Sequence, residues 1–242
     1  SLNLESEDYE TGKIKDVEQL YRGITRMELD DAEIIDELHK SSQVEKPNIF
    51  GHDIPANHYM ILRNHRSSIL SYYHKESNQI EKVEKRTAYG IKPKNAEQAF
   101  AMHALLNPEV KLVTIQGVAG TGKTLLALAC ALTQKNEYNQ IFLARPIVPL
   151  NNKDIGYLPG DAKEKVNPYM EPLWDNLKVI QNQFKENSKD YNRIKELVDN
   201  EKLLVQPLAF IRGRSLSNIM FIVDEAQNLT PLEVKTIISR AG

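Results

Sequence analysis

Between a short apolar run at Leu112 to Ile115 and a longer one at Leu125 to Leu132, the chain places three glycines, Gly117, Gly120 and Gly122. The first run reads as a short buried strand over 112–116 and the second as an apolar helix over 124–135. A backbone without Cβ reaches positive φ, so the turn between them can aim its N–H groups at one point. Such a point suits an anion. Gly117-Val118-Ala119-Gly120-Thr121-Gly122-Lys123-Thr124 matches G-x-x-x-x-G-K-[ST] without a gap, and the strand and helix that the pattern requires flank it. In a phosphate-binding loop of this kind the backbone N–H groups of Gly117 to Gly122 and the helix N-terminus cradle phosphate. Lys123 reaches the β and γ oxygens of ATP, and the Thr124 hydroxyl coordinates Mg²⁺. The bland alternative, a glycine turn that binds nothing, is disfavoured because strand, loop and helix patterns are all present.

This feature constrains the rest of the chain. From Gly90 onward helix and strand patterns alternate: helix 95–107, strand 112–116, helix 124–135, strand 141–145, helices near 164–182 and 190–200, and strands 203–206 and 219–223. Alternation of this kind predicts an α/β fold, a parallel sheet covered by helices, with its ligand at the carboxyl ends of the strands. Upstream the texture differs. "AEIIDELHK", after Asp30 and Asp31, predicts an amphipathic helix with Ile34, Ile35 and Leu38 on one face. "HYMILR", "SILSYYH" and "QIEKVEK", separated by turn residues, predict a small antiparallel meander. The expected organisation is therefore a linker over 1–20, a small α+β module over 21–88 and an ATPase domain over 89–242.

Composition excludes several classes. The chain has 242 residues, of which 41% are hydrophobic and 26% charged, enough for a sizeable core and one or two domains. Lys and Arg number 31 against 33 Asp and Glu, a net charge of −2, so any contact with nucleic acid must be a local patch. The single cysteine, Cys130, lies in the apolar helix and permits neither a disulfide framework nor a cysteine metal site, which fits a reducing cytoplasm. The sequence has no apolar stretch long enough to span a membrane, and "SLNLESEDYE" lacks the basic-then-apolar order of a signal peptide.

The class of phosphate-loop protein depends on the second half of the site. Ile219 to Val223 is an apolar run that predicts a buried strand, and it ends in Asp224 and Glu225. Asp224 at that position holds Mg²⁺ through water, and Glu225 polarises an attacking water. "NNKD" at Asn151 to Asp154 fails the Asn-Lys-x-Asp spacing that guanine recognition needs and precedes the acidic strand instead of following it. Small-molecule kinases do not need the Asp224-Glu225 pair for a lytic water. Beyond it, Thr230, Pro231 and Glu233 form a capping box with proline at the first helical position. Gln227, in between, either reports the γ-phosphate state or is a polar loop residue.

Six stretches in order, "GIKPKNAEQ", "GVAGTGKT", "ARPIVP", "GYLPGDAKEKVNPYMEPLWD", "IRGRSL" and "DEAQN", resemble the PhoH family of P-loop ATPases, which is close to superfamily 1 helicases. The resemblance runs from Gly90 to Gly242. It implies a RecA-like sheet, ATP hydrolysis, RNA as substrate with possible RNA helicase activity in the full-length protein, and homo-oligomeric, hexameric rings. It also implies a further strand with a glutamine sensor beyond Gly242. "ESEDYETGKIKDVEQLYRG" is similar to the junction that follows a PIN ribonuclease domain, so nuclease acids would lie before Ser1.

Some residues keep two readings. In helicase-like relatives a glutamine upstream of the loop reads adenine, and Gln98 is placed for that role, yet Asn95 and Gln98 also pair as a helix N-cap. Arg145, at the end of a strand, contacts RNA or a neighbouring subunit's nucleotide, or forms a surface ion pair. Arg212 and Arg214 around Gly213 suit RNA phosphate, a trans γ-phosphate contact, or a solvated turn. Arg240 makes the same kind of trans or RNA contact or complements a helix dipole, the simpler reading. Tyr157, Tyr169 and Trp174 stack bases or, for Trp174 above all, pack in the core. A second class of function is a nucleotide-controlled assembly module that does no work on RNA.

Overall fold

The turn-bounded apolar runs before residue 84 do pair as strands in the computed structural model, which describes residues 21–45, 54–147, 162–211 and 216–240. The chain divides into two units between Val83 and Glu84, slightly before the 88/89 boundary expected from composition.

The first unit contains β1 (Ile24–Glu28), α1 (Glu33–Ser41), β2 (Gln43–Glu45), β3 (Tyr59–Arg63), β4 (Ser68–His74) and β5 (Gln79–Lys82). β3, β4 and β5 form the expected antiparallel meander. Two short strands that sequence patterning did not reveal complete a sheet of order β1-β3-β4-β5-β2. β2 joins β5 antiparallel, whereas β1 joins β3 in parallel, so the sheet is mixed. Both added strands are edges with few buried residues, and "ITRME" and "QVE" therefore lack a clean apolar alternation. Helix α1 turns Ile35 and Leu38 onto one face of the sheet, where they bury with Val44, Met60, Leu62, Ile69, Tyr73 and Ile80. Each such side chain contributes about 1.5–3 kcal/mol by leaving water. The Asp31 carboxylate accepts the Glu33 N–H at 3.1 Å and so holds the start of the helix.

The second unit contains α2 (Ala96–Leu106), α3 (Lys123–Thr133), β6 (Gln140–Arg145), α4 (Ala162–Gln181), α5 (Lys189–Asp199), β7 (Leu203–Pro207), β8 (Ile219–Val223) and α6 (Pro231–Arg240). Its sheet is parallel throughout, in the order β7-β6-β8. Period-two alternation sorts β6 between two cores. Ile141 and Leu143 bury with α3, α4 and α5, while Phe142 and Ala144 pack with Leu216 and Phe221 on the other face. In α3 every residue from Leu126 to Leu132 is buried, as expected of a helix that is apolar all round. Cys130 lies within it, and burial pushes its thiol up to about 12, so it is neither a nucleophile nor a metal ligand at neutral pH. Among the described residues no helix is long and apolar enough to cross a membrane.

One expected strand is absent. Residues 112–116 adopt no regular strand, and Leu112 is 63% exposed. A strand exists through its ladder, and this run has no hydrogen-bonded neighbour among the described strands, since β8 pairs only with β6. Its apolar composition is therefore not matched by burial.

Candidate functional site

The glycine loop enters α3 through two residues in the left-handed region, Gly120 (φ +78°) and Gly122 (φ +82°). A side chain at either position would be strained whatever the surrounding space, which is the reason the motif needs glycine there. Without a cap side chain at Gly122, the first N–H groups of α3 stay available to an anion. Lys123 folds back over the loop and donates from Nζ to the Gly117 carbonyl at 2.9 Å and the Val118 carbonyl at 3.0 Å. Thr121 Oγ1 donates to Val118 O at 2.8 Å, a second closure of the same turn. Ala119 sits exposed at its tip.

Gln98 serves two elements. Its backbone N–H donates to Asn95 Oδ1 at 2.8 Å, the N-cap of α2, and its own Oε1 accepts the Lys94 N–H at 2.7 Å. Its amide Nε2 donates to the Thr121 carbonyl at 3.1 Å, so the helix cap and the loop are tied through one side chain. Of the two readings of Gln98, the structure shows the helix cap, and its contact with the loop is an addition that does not bear on adenine.

The acidic half arrives through sheet register. In the parallel β6–β8 pair Ala144 stands opposite Val223, so the next residues, Arg145 and Asp224, leave their strands at the same level. The Asp224 N–H donates to the Ala144 carbonyl at 2.8 Å and extends the ladder by one step. Asp224 Oδ1 accepts the Thr124 hydroxyl at 2.6 Å, across a separation of 100 residues. The Arg145 guanidinium lies against both acids, 4.0 Å from Asp224 Oδ2 and 3.8 Å from Glu225 Oε1. Side-chain exposures of 26% for Arg145, 15% for Asp224 and 38% for Glu225 make this a partly desolvated cluster in which attraction exceeds that of a surface pair. Glu225 itself has φ +52°, an unusual conformation for a side-chain-bearing residue and one that concentrates at functional sites. Gln227 Nε2 donates to Glu225 Oε2 from the following 3₁₀ turn. Beyond it Thr230 Oγ1 accepts the Glu233 N–H at 3.3 Å, and Glu233 Oε2 accepts the Thr230 N–H at 3.0 Å, closing the capping box of α6.

Thr124 and Asp224 offer a hydroxyl and a carboxylate, hard oxygen donors of the kind Mg²⁺ takes from a protein when phosphate and water complete its shell. Among the described residues no group of three or more His, Cys, Asp or Glu side chains is placed to hold a metal without such help.

The residues singled out from the sequence separate in space. Gln98, the loop from Gly117 to Thr124, Asp224, Glu225 and Gln227 lie in one neighbourhood, and Arg145 joins them as a partner of the two acids. Arg240 is exposed in the last turn of α6. Tyr169 and Trp174 are half-buried against the helical core. Arg212, Arg214, Tyr157, the stretch Asn151 to Asp154 and the segment 1–20 lie outside the described residues. Of the readings of Arg145, at the carboxyl end of its strand, the structure shows an ion pair, partly buried instead of on the surface. Sequence reasoning did not name its partners, Asp224 and Glu225.

A glycine loop opening a buried helix, set against an acid at the end of a parallel strand, is the arrangement of the P-loop nucleoside-triphosphate fold class. Comparison with known proteins narrows it. The family profile described as PhoH-like protein matches residues 90–242, more than half of the chain, and the chain belongs to the PhoH family. It is 34% identical over 250 residues to Protein PhoH2 of Bacillus subtilis (strain 168), covering 100% of this chain and 55% of that relative. Protein PhoH2 of Thermobispora bispora is 30% identical over 245 residues, with 100% of this chain and 53% of the relative covered. A PhoH-like protein of Synechocystis sp. is 44% identical over 128 residues, or 52% of this chain and 36% of the relative. The chain thus spans about half the length of the two PhoH2 relatives that match along all of it.

Proposed function

We propose that this chain binds ATP with Mg²⁺ on the Gly117–Thr124 loop and hydrolyses it, and that in the full-length protein hydrolysis is coupled to remodelling or unwinding of RNA alongside a PIN ribonuclease domain. The observation that carries the reading is the 2.6 Å hydrogen bond from Thr124 to Asp224, which brings the loop and the acidic strand end to one point. Thr124 and Asp224 are the residues that would hold Mg²⁺, which when bound offsets charge on the β and γ phosphates.

Each residue then has a task that follows from its chemistry. The loop N–H groups receive the phosphate oxygens. Lys123, whose ammonium rests on the loop carbonyls of Gly117 and Val118, exchanges those two weak acceptors for phosphate oxygens and so gains charge-assisted bonds. Glu225 orients a water for in-line attack and accepts its proton, and Gln227, hydrogen-bonded to that carboxylate, fixes its rotamer. Gln98 couples the adenine side of the nucleotide to the loop through Thr121.

The test is steady-state ATP turnover by the full-length protein with and without single-stranded RNA. RNA-stimulated turnover supports the reading. Nucleotide-dependent change in molecular mass that is indifferent to RNA would instead favour a hexameric or other assembly module controlled by ATP.

A further inference from the structure

The sequence carries no net positive field, so a nucleic-acid contact has to be a local patch, and the first unit contains one. An open cleft of about 570 Å³ lies along the β1–β3 edge of its sheet, lined by Arg26, Arg63 and Arg66 together with His65, Ser67 and Ser68. Register explains the grouping. Arg26 stands opposite Ile61 and Glu28 opposite Arg63, so alternation puts Arg26, Glu28, Ile61 and Arg63 on the sheet face opposite the core built on Met60 and Leu62. Arg66 comes from the turn between β3 and β4. That turn is held by buried Asn64, whose Oδ1 accepts the Arg66 N–H at 2.9 Å and the Ser67 N–H at 2.7 Å.

We infer that this cleft binds the sugar–phosphate backbone of single-stranded nucleic acid, RNA before DNA. Among the described residues the lining carries three guanidinium groups, of Arg26, Arg63 and Arg66, and one carboxylate, that of Glu28, so cations outnumber anions along it. The Arg63–Glu28 pair, at 4.0 Å and with both side chains well exposed, is too weak to neutralise it. Arg26 and Arg63 lie two residues apart in register on neighbouring strands, so their Cα atoms are separated by roughly 8 Å, given a rise of about 3.3 Å per residue and about 4.8 Å between strands. That is too wide for both to converge on one phosphate without drawing inward, and it suits successive phosphates of an extended strand. The cleft is open, and among the described residues its lining offers hydroxyls and guanidinium groups but no Phe, Tyr or Trp. Recognition is therefore through phosphate and sugar, independent of sequence. The preference for RNA rests on the RNA-coupled reading proposed above, and the serines at the cleft supply partners for a 2′-hydroxyl.

The experiment measures fluorescence anisotropy of a labelled oligouridylate and of the matching oligothymidylate across a salt series, without nucleotide. The proteins are the 242-residue chain, its Arg66→Ala variant and its Arg26→Ala/Arg63→Ala/Arg66→Ala variant. Three phosphate contacts predict that the triple variant lowers the slope of log affinity against log salt by about 2 and weakens oligouridylate binding tenfold or more near physiological salt. Arg66→Ala alone, an exposed change at a turn tip, should remove about a third of that slope. ATP binding, measured in parallel, should be unchanged and also reports that the variants are folded. Oligothymidylate should bind more weakly than oligouridylate, and equal binding would leave the cleft a phosphate site but overturn the preference for RNA. Unchanged affinity and slope in both variants, with RNA still bound, would overturn the cleft while sparing the RNA-coupled reading. No oligonucleotide binding by the parent chain would overturn the cleft, while the RNA-coupled reading is decided separately by turnover of the full-length protein with and without RNA.

Discussion

Thr124 donates its hydroxyl to Asp224 at 2.6 Å, so the last residue of the glycine loop touches the first residue after β8. On the reading proposed above these two oxygens would hold a divalent cation, with the Arg145 guanidinium beside the acids and the Lys123 ammonium over the loop.

Lys123→Ala removes the ammonium that is free to leave the Gly117 and Val118 carbonyls for phosphate. A lost charge-assisted contact in a preorganised site costs on the order of a hundredfold. ATP affinity by calorimetry should fall by about that factor, and affinity equal to wild type would refute the loop assignment.

Glu225→Gln keeps the size of the side chain and its contact with Gln227 while removing the proton acceptor. ATP should bind within a few-fold of wild type, whereas turnover should fall by about 10²–10⁴-fold. The measurement is turnover against affinity in the full-length protein. Retained turnover would move the base role to another residue.

Arg145→Ala leaves two neighbouring carboxylates, Asp224 and Glu225, without their guanidinium. These contacts are ion pairs longer than a hydrogen bond, and their loss from a partly exposed cluster costs about 1 kcal/mol. The melting temperature of the nucleotide-free variant should fall, and millimolar Mg²⁺ should restore more of it than it adds to wild type. Identical melting with and without Mg²⁺ in both proteins would show that Arg145 does not act as their counter-charge.

His103, near the end of α2, is held well below the usual histidine range, at about 4, first by burial and second by the charge of Arg86. Its folded form stays neutral while the unfolded chain takes up a proton near pH 6.5. The unfolded state therefore binds more protons between about pH 6.5 and 4, and stability falls as pH drops through that window. Urea melts at pH 7 and pH 5 should show a larger loss for wild type than for His103→Gln. Equal losses would place the pH dependence on other groups.

Local chemistry was legible in the sequence. Glycines at positive φ, the Thr230–Glu233 cap, the Asn95 cap and the all-apolar α3 each depend on residues within about four positions of one another, so spacing alone specifies them. The meander β3–β5 was also readable, because its turns and alternation are contiguous.

Other features depended on which strands became neighbours. Residues 112–116 have strand composition but no partner among the described strands, and without a ladder the composition does not make a strand. β1 reads as polar and becomes a strand because β3 accepts it in parallel, which also lines up Arg26 with the edge where Arg63 and Arg66 lie. By itself the sequence determined that a phosphate-binding turn, an apolar strand ending in Asp224 and Glu225, and a capped helix after them would exist. Only the tertiary structure decided that Arg145 would face those acids, because that contact follows from the Ala144–Val223 register of two parallel strands far apart in the chain, and register is a property of pairing that neither strand carries alone.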